Sequence, residues 1–132
     1  NMSRCAAFFL LVCSFLAGVT SERYIVGGWE KRDPHENRHF QELANFAVSK
    51  GSKPKSYYDT VVTLIEVYTQ LVAGVNYRLN YTYANTDCRT DQEYKPSKCR
   101  PKGKVRGWCK SIVYEKPWEH IVLLSQHQCS SF

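Results

Sequence analysis

Residues 74–83 read Gly-Val-Asn-Tyr-Arg-Leu-Asn-Tyr-Thr-Tyr and carry the clearest pattern in the chain. From position 75 onward, apolar or aromatic side chains occupy the odd positions and polar side chains the even ones. Successive side chains of a strand point to opposite faces, so this alternation predicts an antiparallel strand with one face on a core and one in water.

The segments on either side predict a meander around this strand. Residues 57–69 are rich in Val, Ile, Thr and Tyr and predict the preceding strand, and residues 105–115 and 120–129 predict two more. Residues 22–29 form an extended arm that can add a short strand in front. Between the second and third strands, residues 85–104 are predicted to be a loop.

One helix is predicted before the strands. Asp33 suits the N-cap, Pro34 the first helical position, and Glu36 the return contact of a capping box. Apolar residues follow at helical spacing, and Gly51 is a natural stop, so the helix should cover residues 34–50. One helix on a four- to five-stranded antiparallel sheet is an α+β architecture.

The first 21 residues have the anatomy of a secretory signal peptide. Arg4 precedes an apolar run over residues 6–16, and small residues lead to an expected cleavage after Ser21. The run is shorter than the ~20 residues of a membrane span. We therefore expect a leader of residues 1–21 and a secreted, extracellular domain of residues 22–132 with no membrane anchor.

The remaining chain keeps an even number of cysteines, which in an exported domain predicts two disulfides. They are Cys88, Cys99, Cys109 and Cys129. Three connectivities are open. The sequential one, 88 with 99 and 109 with 129, closes two local loops, the second across a predicted hairpin, and it is the one we expect.

Three segments, in this order, resemble the inhibitory elements of the secreted (type 2) cystatins. The arm ends in Val26-Gly27-Gly28, residues 70–74 match the Gln-x-Val-x-Gly pattern, and Pro117-Trp118 follows between the last two strands. The resemblance covers nearly the whole predicted mature chain, including its four cysteines. The protease-binding residues it implies are Ile25, Val26, Gly27, Gly28, Gln70, Leu71, Val72, Ala73, Gly74, Pro117 and Trp118.

The resemblance implies a reversible, competitive, noncovalent inhibitor of papain-like cysteine proteases, with cathepsins L and S first among its partners. The arm and two hairpin tips would form a three-part wedge. Small residues at 73 and 74 permit close approach to a cleft, and Trp118 offers a large apolar face at little rotamer cost. The chain would be no enzyme, would need no cofactor, and would act as a monomer.

A zinc-protease pattern, H-E-x-x-H, also occurs at residues 35–39. We expect no metal there, because Glu36 has a predicted capping role and His35 would lie in the first helical turn. A third histidine is missing as well, since positions 42 and 45 are Glu and Asn.

Seven cations and no acid occur between residues 95 and 110, and the whole chain has a net charge of +6. A solvated loop is the simpler interpretation of this segment. The alternative function is a cystatin fold with weak inhibition whose basic segment binds polyanions or receptors. The charge is no nucleic-acid signature by itself, and we expect no nucleic-acid partner.

Two further expectations concern modification and a second protease. Asn80-Tyr81-Thr82 is a candidate glycosylation site, with Asn80 on the polar side of its strand. Many secreted cystatins inhibit legumain through a Ser-Asn-Asp sequence after the helix. Residues 49–56 contain no Asn, so we do not expect legumain as a partner.

Overall fold

The computed structural model describes residues 27–132, and the predicted leader and the arm residues Ile25 and Val26 lie outside this range. One helix packs on a five-stranded antiparallel sheet, as the sequence predicts. The elements are β1 (Glu30–Arg32), α1 (Arg38–Gly51), β2 (Tyr57–Val72), β3 (Gly74–Arg89), β4 (Gly107–Lys116), a 3-10 turn (Pro117–Glu119) and β5 (Ile121–Ser131).

The helix begins four residues later than the sequence predicts. Asn37 is the N-cap, and its side chain accepts a hydrogen bond from the His39 backbone N–H at 3.0 Å. Asp33 instead closes a separate turn by accepting from the His35 N–H at 2.9 Å. Asn and Asp are about equally good N-cap residues, so local preference alone does not distinguish position 33 from position 37.

The strands run in the order β1-β2-β3-β4-β5, so each pairs with its neighbour in the chain. The alternation in β3 is confirmed: Leu79, Tyr81 and Tyr83 are buried, while the polar residues between them are only partly covered. The helix covers this face of the sheet. The core consists of Phe40, Leu43, Ala44, Ala47, Val48, Leu64, Val67, Leu79, Tyr81, Tyr83, Cys109 and Val113.

Strand ends differ from the predicted bounds, and β2 and β3 are longer than predicted because their pairing continues at both ends. β2 and β3 continue toward each other until Val72 faces Gly74, so the first hairpin is closed by a single residue between the strands. β3 also runs on to Arg89, where a loop was predicted, because Tyr57 at the start of β2 still pairs with it. The connecting loop is therefore confined to residues 90–106.

Both disulfides are present in the sequential connectivity. Cys88 pairs with Cys99 across the 90–106 loop with a Cα–Cα distance of 5.7 Å. Cys109 pairs with Cys129 between adjacent positions of β4 and β5, where the Cα–Cα distance is 4.0 Å. Each closes a loop whose constraint on the unfolded chain is worth about 3 kcal/mol in the chain-entropy model. Within residues 27–132, no helix is long and apolar enough to cross a membrane.

Candidate functional site

Three chain segments meet at one end of the sheet, which we call the wedge end: residues 27–28, residues 70–74, and Pro117–Glu119. The pairing register brings them together. Val72 faces Gly74 at the first hairpin, Val75 faces Glu115 across β3 and β4, and Lys116 faces Ile121 at the second turn. Because each strand pair ends at the same level, the two tips lie side by side.

The first tip depends on a glycine at its last position. Gly74 has a φ of +117°, a region that side-chain-bearing residues rarely adopt. A Cβ at this position would lie 2.6 Å from the backbone oxygen of Glu115 and 2.8 Å from the Tyr114 hydroxyl. The glycine therefore allows the first hairpin to rest directly against β4, the strand that leads to the second tip.

Tyr114 fastens the first tip to β4, the strand that leads to the second tip. Its hydroxyl donates a hydrogen bond to the backbone oxygen of Ala73. Sequence reasoning did not identify this residue, and no local pattern points to it, because the contact depends on the register between β3 and β4. The first tip is thus linked to the strand that carries the second tip.

Within the first tip, the residues have different roles. The Leu71 side chain is 71% exposed and Ala73 is exposed, whereas Val72 is half-buried and Gly74 is buried. The side-chain oxygen of Gln70 accepts a hydrogen bond from Asn76 Nδ2 at 3.1 Å. Gln70 therefore stiffens the hairpin, while Leu71 presents its apolar surface outward.

The second tip is a 3-10 turn that presents Trp118, 66% exposed. His120 adopts a left-handed conformation with φ 53°, and its backbone N–H donates to Pro117 O at 3.1 Å. Lys116 pairs with Glu119 at 3.1 Å and lies 5.7 Å from the centre of the Trp118 ring. These contacts hold the indole at the surface.

The described part of the arm runs beside the first tip. A Cβ on Gly27 would lie 3.6 Å from the backbone oxygen of Leu71, whereas one on Gly28 would meet nothing within 4 Å. The next residue is Trp29, and the centre of its ring lies 5.0 Å from the Arg78 guanidinium. This contact anchors the arm to the outer face of the sheet. The arm is thus held against the sheet at Trp29, and there is open space around Gly28.

A histidine supports the wedge end from the helix side. His39 Nε2 lies 2.7 Å from Glu115 Oε1, and His39 Nδ1 lies 3.2 Å from Glu42 Oε2. Burial lowers the pKa of His39, but its hydrogen bonds to Glu115 and Glu42 outweigh this and raise the pKa above its ordinary value. The helix is thereby tied to the strand that carries the second tip.

The residues of the H-E-x-x-H pattern do not form a common site. His35 lies before the helix, Glu36 pairs with Arg32 at 2.5 Å, and His39 contacts Glu115. The predicted capping role of Glu36 is therefore wrong, since its carboxylate pairs with an arginine instead. Within residues 27–132, another cluster contains side chains of the types that bind metals: Cys109, His127 and Cys129. Its two sulfur atoms are joined in a disulfide.

Asn80 lies on the outer face of β3, as its position in the alternation predicts. Its Nδ2 donates to Glu66 Oε1 at 3.0 Å, and its Oδ1 is buried without a hydrogen-bond partner in the part of the chain described. The side chain is half-buried rather than free. Glycosylation at Asn80 stays a prediction.

Known proteins share this architecture. Residues 27–118 match the Cystatin domain family. The chain is 43% identical to Mialostatin of Ixodes ricinus, with 95% of this chain and 96% of that protein covered. It is 37% identical to Cystatin-2 of Ornithodoros moubata, with 85% and 88% covered. The crystal structure of Mialostatin, described as a gut cystatin from the hard tick Ixodes ricinus, has a TM-score of 0.74 at 42% identity and covers 79% of this chain and 98% of that chain.

The chain belongs to the cystatin family, whose members inhibit cysteine proteases. It is therefore an inhibitor and not an enzyme. Its similarity to the tick cystatins over nearly its whole length places it among the type 2 cystatins.

Proposed function

We propose that this cystatin inhibits papain-like cysteine proteases reversibly, competitively and noncovalently, with the wedge end as one three-part plug. The observation that carries the proposal is the presence of two stiff tips and the arm at one end of the sheet. Leu71 and Trp118 there expose large apolar surfaces. A tip that is rigid before binding loses little conformational entropy when it enters a cleft.

Each segment has a part in this proposal. Ala73 and Gly74 keep the first tip thin, so that it can approach the floor of a groove without a clash. Trp118 supplies apolar area, and Pro117 stiffens the turn before it.

Ile25 and Val26 fill apolar substrate subsites, and Gly27 with Gly28 turns the arm away from the nucleophile. None of these groups reacts covalently, so the complex is reversible.

The proposed targets are cathepsin L-like and cathepsin S-like enzymes first. A straight wedge suits an open groove, and an enzyme with an occluding loop over its cleft must displace that loop to admit the tips. We also propose that the protein is secreted and acts extracellularly. The sequence of residues 1–21 and the two disulfides support this.

Truncation of the second tip is the direct test. Trp118→Ala removes a contact of the type that typically contributes about 2–4 kcal/mol in an interface. The inhibition constant for cathepsin L should rise roughly 30- to 1000-fold, mostly through faster dissociation. Val72→Asp places a charge at the first tip and should weaken inhibition to a similar extent. Both are measured with a fluorogenic peptide substrate.

Two further variants make the result specific. Gly27→Trp should weaken inhibition by displacing the arm while the hairpin contacts persist. Lys98→Ala, an exposed change far from the wedge end, should inhibit like the parent. Thermal melting checks that all variants are folded. If folded Trp118→Ala and Val72→Asp both inhibit as strongly as the parent, the wedge end does not bind the protease.

A further inference from the structure

The charge of this protein is separated between the two ends of the sheet. Residues 50–59 and 86–106, which we call the basic pole, contain ten cations and four carboxylates. The rest of the described chain contains six cations and seven carboxylates. The entire excess of positive charge in residues 27–132 therefore lies at one end. The cations of the basic pole are Lys50, Lys53, Lys55, Arg89, Lys95, Lys98, Arg100, Lys102, Lys104 and Arg106.

The basic pole lies opposite the wedge end. β2 begins there, β3 ends there, and the helix ends there at Gly51. The ten residues from Gly74 to Tyr83 span nine steps of about 3.3 Å, so the tips are about 30 Å from the point where the basic loop joins the sheet. This exceeds the screening length of about 8 Å at physiological ionic strength. The charge of the basic pole is therefore screened at the wedge end, and the two ends are separate surfaces.

The cations that lie together in the structure are not the same set as those of the basic segment, residues 95–110, found in the sequence. Lys110 belongs to β4 and faces Asn80 and Gln128 across the sheet, so it lies outside the pole. Lysines that follow the helix, far away in the sequence, join the pole instead. Lys55 and Lys102, for example, line the same surface depression.

The pole is held in a fixed shape. The backbone N–H of Lys102 donates to Asn85 O at 2.6 Å, and that of Arg106 donates to Tyr83 O at 2.9 Å. The Cys88–Cys99 disulfide ties the middle of the loop to the end of β3. A charged surface that is ordered in advance loses less entropy on binding than a flexible basic tail.

Most of these cations form no ion pair in the part of the chain that the structure describes. Lys55 pairs with Asp59 at 2.5 Å, and Lys102 with Asp87 at 3.0 Å. Arg89 pairs with Asp91 at 3.4 Å. The other seven make no ion pair within residues 27–132, and all ten are exposed. Such a concentration of unpaired like charge raises the free energy of the isolated protein slightly and favours a polyanion.

The surface consists of successive shallow depressions. One is lined by Lys55 and Lys102 together with their ion-pair partners Asp59 and Asp87, another by Arg89, Lys95 and Lys98 together with Asp87 and Glu93. A third is lined by Lys104 and Arg106. Cations thus lie in several depressions around one end of the molecule, an arrangement that suits a flexible chain with repeated negative charges better than one compact anion.

We propose that the basic pole binds a sulfated polysaccharide while the wedge end remains free for a protease. The unpaired lysines and arginines would displace the cations condensed along a linear sulfated chain, and the release of these counterions is the source of affinity in polyanion binding. Two disulfides indicate an oxidising compartment, where sulfated polysaccharides are available as polyanions and nucleic acids are scarce. The polysaccharide would hold the inhibitor where proteases act.

The test uses a heparin decasaccharide as the probe and the expected mature protein, residues 22–132, which includes the arm. Affinity is measured over a range of NaCl concentrations. Lys98→Ala combined with Arg100→Ala removes two unpaired cations of the pole. The matched control, Arg38→Ala with Lys110→Ala, removes the same net charge from exposed positions elsewhere. Each lost contact should lower the salt slope by about one, so the pole variant should bind about 30-fold more weakly at ~0.15 M salt.

The control pair should retain the slope and affinity of the parent. Equal weakening by both pairs, or no binding by the parent at this salt concentration, would overturn the proposal. Tighter binding to duplex DNA or to phosphatidylserine vesicles than to the oligosaccharide would show that the occupant is wrong.

A last measurement concerns simultaneous binding. With the decasaccharide bound, the inhibition constant for cathepsin L should not change, whereas competition between the two would contradict the separation of sites. This step rests on the proposed protease inhibition, while oligosaccharide binding itself does not. Trp118→Ala should bind the oligosaccharide like the parent, so a failure of one proposal is distinguishable from a failure of the other.

Discussion

Gly74→Ala tests whether the fixed spacing of the two tips is needed for inhibition. The substitution adds one methyl group and changes neither charge nor the exposed apolar surfaces of Leu71 and Trp118. Its effect must come from the backbone and from β4. A Cβ at this position lies 2.6 Å from Glu115 O and 2.8 Å from the Tyr114 hydroxyl, both far closer than van der Waals contact.

The expected magnitude has two parts. A side chain at φ +117° costs about 1–3 kcal/mol. The overlap with Glu115 and Tyr114 adds about 1–3 kcal/mol, unless the first hairpin moves away from β4. Gly103→Ala is the matched control, because it also has a positive φ, 81°, but its Cβ would meet nothing within 4 Å.

Thermal melting and cathepsin L inhibition together give the result. At roughly 4 °C per kcal/mol for a domain of this size, Gly103→Ala should lower the Tm by about 4–12 °C and Gly74→Ala by about 8–24 °C. Only Gly74→Ala should weaken inhibition, by about tenfold or more, because only there are the tips displaced. If Gly74→Ala melts and inhibits like Gly103→Ala, the contact between the first tip and β4 does not matter for binding.

Two other predictions concern pH and legumain. The raised pKa of His39 means that its contribution to stability is full below about pH 6.5 and is lost as pH rises through the folded-state pKa. Burial lowers the pKa of His127, so this residue has the opposite effect and destabilises the fold as pH falls below about 6.5. His39→Gln and His127→Gln should therefore change the Tm difference between about pH 5.5 and pH 7.5 in opposite directions, and a change of the same sign would contradict the assignment. Because residues 49–56 contain no Asn, legumain should stay active at concentrations that silence cathepsin L, as a paired assay would show.

Sequence patterns predicted the elements well where one periodicity extends over many residues. The alternation through residues 75–83 fixed both the strand and its buried face, because a shift by one residue would turn every aromatic side chain to water. The start of the helix could not be determined from the local sequence. Asp33 and Asn37 both have cap chemistry, and in the structure Asn37 caps the helix while Asp33 closes the turn before it.

The wedge residues were found by resemblance, but their supports were not. Tyr114 and His39 hold the tips in place through contacts with residues 41 and 76 positions away in the chain. No local sequence pattern identifies either residue, because such contacts depend on strand register and on where the helix crosses the sheet. Sequence reasoning could name the residues of the tips but could not explain why the tips are rigid.

By itself, the sequence determined the α+β class, the meander, the inward face of β3 and the composition of the tips. These properties follow from the order of side chains along the backbone, because a strand alternates its faces whatever lies beside it. Tertiary structure alone decided the register that places both tips at one end and gathers ten exposed cations at the other. Long-range pairing sets these positions, and it assigned Lys110 to the sheet and Lys55 to the basic pole.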